Sequence, residues 1–131
     1  MNIQEITNEL QAYQNELEKL IETDDINILV ERLANTASYH ARVGYLLAEA
    51  KMLLRQKKSD EIANMVRVIA KEGHLSGKAR NALVDSIAIV ENHAVDWADR
   101  LNSMCVHQID VMRTLISKEK EEMRVQGYGD Y

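Results

Sequence analysis

Apolar residues recur at alternating spacings of three and four along most of the chain, the period of a helix face rather than of a strand. In the first segment Ile3, Ile6, Leu10, Tyr13, Leu17 and Leu20 keep that alternation. They predict a coiled-coil-like N-terminal helix over 3–22, semi-independent of the rest of the chain. The polar triplet Thr23-Asp24-Asp25 interrupts the pattern and supplies caps for the next helix. A second stripe passes through Leu29, Leu33, Ala37, His40, Gly44, Leu47 and Leu54, widened by Val43, Leu46 and Leu53. It predicts a helix over 26–57. Glycine inside a helix costs about 1 kcal/mol relative to alanine, so a close helix contact is expected at Gly44.

The polar run "KKSDE" predicts a turn, with Ser59 or Asp60 as the cap of a short helix over 60–71 that carries Ile62, Met65, Val66 and Ile69. "GHLSG" then ends it, with Gly73 as C-cap and Ser76 as the next N-cap. From Lys78 no breaker occurs until Gly127, so one last helix is expected over 78–123. Its main seam runs Leu83, Ile87, Val90, Ala94, Trp97, Leu101, Met104, Gln108, Val111 and Leu115. A second seam, Cys105, Ile109, Met112 and Ile116, runs beside it. Such a helix is on the order of 65 Å long, too long for a compact ball to cover both seams. Folding the second helix back against the last covers one seam, and the first helix or a second copy of the chain covers the rest. The expected fold is all-α: an elongated helical hairpin or bundle, dimerised through its long helices. Residues 1–126 are expected to form one domain and 127–131 a flexible tail.

Composition supports long helices, since the chain has no proline and is rich in Ala, Leu, Glu, Lys and Met. A net charge of -5 argues against a surface coated in positive charge for nucleic acid. One cysteine cannot form an internal disulfide, which suits a reducing cytoplasm. The start "MNIQEITNEL" lacks the basic flank and apolar run of a signal peptide. No run reaches the eighteen or so apolar residues that span a bilayer, so no membrane partner is expected.

The stretch "MCVHQID" puts a thiol, an imidazole and a carboxylate close together, as in a nucleophile with its base and orienter. On a helix, however, Cys105 and His107 point about 200° apart. Cys105 belongs to the second apolar seam, where a free cysteine acts as a small hydrophobe. His107 and Asp110 instead share a face with His93, Asp96 and Arg100, forming a polar stripe that either faces water or meets a partner. The two His–Asp pairs lie about 21 Å apart, too far to share one metal ion. His40 is expected to be a core histidine bonded to a polar group such as Gln108, and Trp97 a core anchor.

A weaker site is "HLSGKAR". Ser76 and Gly77 stand at a helix start, where free N–H groups favour anions, and Lys78 and Arg80 in the first turn would welcome phosphate. "RQKK" at 55–58 is expected near the same end of the hairpin. There is no glycine-rich dinucleotide fingerprint, zinc spacing, nucleophile elbow or paired-carboxylate cleft. The expectation is a non-enzyme with no cofactor and no metal.

The segments "ARVGYLLAEAK" and "LVDSIAIVENHAVDWADRLNSMCVHQIDVMRTLISKEKEEMR" resemble small helical proteins from phages and prophages of Bacteroidetes, in which runs read much like W-A-x-R-L-N-x-x-C-x-H-Q-x-D. The resemblance covers roughly residues 41–124. It implies a phage-encoded accessory protein of a bacterial cytoplasm and carries over no catalytic residue. Two roles arise from it as expectations. One is a protein–protein binder, for example an anti-CRISPR-like inhibitor of a host defence nuclease whose basic groove the acidic protein fills. The alternative is a nucleic-acid-binding accessory of phage recombination or replication, contacting phosphates at the start of the last helix.

Overall fold

The computed structural model describes residues 1–72 and 77–129, with side-chain surroundings for all of these except 70–72, 79–80, 84–85, 87 and 128–129. Four helices succeed one another: α1 (Ile3–Leu17), α2 (Ile26–Glu72), α3 (Gly77–Ile87) and α4 (Ile89–Gly129). Among the described residues there is no strand, and no helix is long and apolar enough to cross a membrane.

Helix α1 begins with a capping box. The Asn2 side chain accepts from the Glu5 N–H at 2.8 Å, and the Glu5 carboxylate accepts from the Asn2 N–H at 3.1 Å. Such a cap is worth about 1 kcal/mol. The helix stops at Leu17, short of the expected residue 22, which leaves Leu20 76% exposed. Its end is held by other elements: Gln108 of α4 donates to the Leu17 carbonyl at 2.6 Å, and Arg32 of α2 donates to the carbonyls of Leu20 and Lys19. Those bonds satisfy carbonyls that another turn of helix would have used.

Helix α2 runs straight through "KKSDE", so the expected turn and separate helix over 60–71 are absent. Ser and Asp inside a helix cost only about half a kcal/mol each, and no Gly or Pro is present to stop it. The Lys57–Glu61 ion pair at 3.4 Å bridges the step, and Met65 is buried beyond it. Gly44 makes no close contact, because a Cβ built there meets open space.

The last helix is instead two. Asn92 N–H bonds the Ala88 carbonyl at 2.9 Å, starting α4 afresh after α3. Ala88 is neither Gly, Pro nor a side-chain cap, and it is fully buried. Helix α3 also lies near α2. The C-terminal tail is helical as far as Gly129, and the rest of the expected loose segment lies outside the described residues. Gly73, expected as a C-cap, also lies outside them.

With 47 and 41 residues, α2 and α4 are about 70 Å and 60 Å long. They pack extensively on each other, and α3 is too short to carry the chain back along that length. The pair is therefore antiparallel. Its core joins Val43, Leu46 and Ala50 to Ala94, Ala98, Leu101 and Cys105, and α1 adds Ile6, Leu10 and Leu17. Each fully buried Leu or Ile contributes about 1.5–3 kcal/mol. Helix α1 is thus part of the core. On α4, Cys105, Met112 and Ile116 of the second seam are buried, while Trp97, Met104, Val111 and Leu115 on the other seam are only half-buried.

Candidate functional site

Because α1 ends at Leu17 and lies beside α4, its last turn stands opposite the first half of the polar stripe. Between them opens a cleft of about 450 Å³, lined by Gln14 and Glu18 from α1 and by His93, Asp96, Trp97, Arg100 and Met104 from α4. Trp97 is half-buried in its wall. The indole N–H donates to Gln14 Oε1 at 2.6 Å, and Gln14 Nε2 donates in turn to Glu18 Oε1 at 2.8 Å. The His93 ring lies 5.7 Å from the Trp97 ring at a 39° tilt. One turn of α1 thus fixes the indole edge, and the imidazole lies beside the indole.

Three of the five stripe residues, His93, Asp96 and Arg100, share this cleft. His107 and Asp110 do not join them. They line a shallower recess of about 260 Å³ with Val111, Thr114 and Leu115, beyond the cleft. Asp96 and Arg100 stand four residues apart yet form no ion pair within 4 Å, and both are exposed. Helical geometry also separates the thiol of "MCVHQID" from its imidazole. Cys105 is fully buried, with its thiol pushed up by desolvation, whereas His107 is exposed.

Among the described residues, no three His, Cys, Asp or Glu side chains converge on a point that would hold a metal ion. His40 is half-buried on α2. Its expected partner Gln108 uses its amide N–H on Leu17, and Gln108 Oε1 is buried without a partner.

Of the anion-site residues, Ser76 lies outside the described residues. Gly77 and Lys78 are exposed in the first turn of α3, and the Arg80 side chain is not among those described. The basic residues of 55–58 are in the body of α2, which continues for about 21 Å past Lys58, so they do not mark its end.

What sequence reasoning missed is the contribution of α1. Gln14 and Glu18 fall beside its apolar seam, and periodicity alone makes Trp97 a plain core anchor. An indole N–H needs an acceptor when it is covered, and that need is the available signal.

Comparison of the chain with family models, with curated proteins and with solved structures returned no match.

Proposed function

We propose that this chain is a non-catalytic binding protein of phage type that acts by occupying another protein in a bacterial cytoplasm. Its proposed target is a host defence nuclease of the CRISPR type. The observation that carries this is the α1–α4 cleft: a half-buried indole, rimmed by charged groups that form no ion pair among the described residues. Interface hot spots combine an aromatic anchor with a polar rim in this way. Net charge of -5 suits a target with a basic groove.

The test is phage plating on strains that carry defined CRISPR effectors directed at the phage. Expression of the chain should raise plating towards that on a nuclease-free strain, and Trp97→Ala with Asp96→Arg should abolish the rise. Unchanged plating across the effector types would remove the nuclease as target.

Self-association through the long helices belongs to the same proposal. The outward face of α2 leaves Val30, Tyr45 and Met52 roughly half exposed, with Ala34, Ala37 and Ala41 between them. Small residues on such a face let two helices approach closely. Light scattering on the purified chain reads the state directly. Dimer for the unaltered chain and monomer for Tyr45→Glu are expected; a monomeric unaltered chain removes this part.

A second role is favoured by the exposed Gly77 and Lys78 in the first turn of α3, a turn without an acidic residue. That role is phosphate contact by an accessory of recombination or replication. It requires salt-sensitive DNA or RNA binding in a filter assay, lost in Lys78→Ala/Arg80→Ala. Salt-insensitive or absent binding eliminates it.

A further inference from the structure

We propose that the α1–α4 cleft receives a guanidinium, the head of an arginine side chain presented by the protein's partner. The proposal rests on the reading of this cleft as the docking site and adds the chemistry of what docks there.

The wall of the cleft is the indole of Trp97, whose only hydrogen-bonding group is already engaged by Gln14. What remains to a ligand is the ring itself, which attracts cations through its quadrupole. Two carboxylates stand at the same cleft from opposite sides, Glu18 on α1 and Asp96 on α4. Glu18 accepts from Gln14 through Oε1, which leaves Oε2 for a guest. Indole, amide and carboxylate are therefore set in a single chain of hydrogen bonds before any partner arrives.

The position of Glu18 carries further information. It is the C-cap of α1, and the last turn of that helix holds no basic residue. Lys19 is spent on Glu16, and Arg32 and Gln108 take the carbonyls of residues 17, 19 and 20. An acid at this end opposes the stability of the helix, a cost that a bound cation would relieve.

Arg100 and His93 also line the cleft. Arg100 forms no ion pair with either carboxylate, so neither acid is neutralised from within the cleft. An anionic guest would gain Arg100 but face Glu18 and Asp96. A guanidinium gains both carboxylates and the indole, with Arg100 as the one full like charge in the lining. Arginine fits better than lysine because its plane stacks on an indole while its fork meets a carboxylate. The volume of about 450 Å³ falls at the small end of ligand pockets and admits one long side chain.

Trp97 is the only tryptophan of the chain, so its fluorescence reports on this cleft alone. The experiment titrates the purified protein with acetyl-Gly-Arg-Gly-amide, and in parallel with the citrulline, lysine and glutamate counterparts. The arginine peptide should change the emission saturably and bind about fivefold or more tighter than its neutral citrulline isostere. Added salt should weaken it. Glu18→Gln and Asp96→Asn should each weaken it, and Arg100→Ala should tighten it. All three positions are exposed, so the variants should fold as the unaltered chain does, which circular dichroism checks.

Equal response to arginine and citrulline, preference for the glutamate peptide, weakening by Arg100→Ala, or no saturable response each overturns the proposal. Failure here is distinct from failure of the functional reading. Arginine binding without an effect on plating supports the guanidinium site and rejects the nuclease. A plating effect with no arginine preference does the reverse.

Discussion

The indole N–H of Trp97 donates to the side-chain carbonyl of Gln14 at 2.6 Å, joining two residues 83 positions apart in the chain. The bond ties α1 to α4 at the place where the candidate cleft begins. Gln14→Ala should leave the half-buried indole N–H without its acceptor, destabilising the fold by about 1–3 kcal/mol. Urea unfolding followed by Trp97 emission measures both the loss and the change in the indole's surroundings. An unchanged midpoint would mean that water replaces the amide at no cost.

A second link, on the other side of α1, sets a pH dependence. Arg42 of α2 donates to both oxygens of Glu9, Nε to Oε2 at 2.8 Å and Nη2 to Oε1 at 2.7 Å. The hydrogen bond from Arg42 is the largest cause holding the Glu9 carboxyl below its ordinary value. A carboxyl with a lower pKa folded than unfolded stabilises fully above the unfolded value, about 4.3, and loses that contribution as pH falls through the folded one. Glu9→Gln should therefore be less stable than the unaltered chain at pH 7. The difference should shrink on acidification below about pH 4.3. The remaining carboxylates act in both proteins, so the gap between the two urea-midpoint curves isolates this pair. A gap that stays constant down to low pH would contradict the assignment.

The straight passage of α2 through Ser59 and Asp60 is also testable. Ser59→Pro removes a donor and crowds the preceding turn in a helix interior, at about 3 kcal/mol. At the cap of a separate helix the same change would cost only the cap, about 1 kcal/mol. A large fall in urea stability, with loss of helical circular dichroism, is expected. Tolerance of the proline would restore the turn that the sequence suggests.

Sequence and structure part at identifiable residues. The two long helices are legible because their apolar positions keep a helical period and no proline interrupts them. Ser59 and Asp60 mislead because their cap preference is a local effect of about 1 kcal/mol. A buried Met65 just beyond them outweighs it. The break at Ala88 has no local sign at all, since alanine favours helix; the structure shows only that Ala88 is fully buried there. The site divides in the same way. His93, Asp96 and Arg100 share a face by periodicity alone, but Gln14 and Glu18 reach them only through the packing of α1. His107 and Asp110, identical in pattern to the first pair, fall outside the cleft and line a separate recess with Val111, Thr114 and Leu115.

Cys105 supplies the last test, because its chemistry derives from its place between the helices. The side chain is fully buried in the cluster formed with Val43, Leu46 and Leu101, and desolvation raises its thiol. The thiolate is the reactive form, so burial suppresses reactivity twice, by access and by ionisation. A thiol reagent applied to the native protein at pH 8 should label Cys105 only as fast as the fold opens. The labelling rate should rise with urea in step with unfolding, and Leu101→Ala, which costs about 2–5 kcal/mol in such a core, should accelerate it without urea. Cys105→Ala should leave the plating effect intact, at a modest cost in stability. Rapid labelling of the native chain would instead place the thiol at a surface and reopen a chemical role for it.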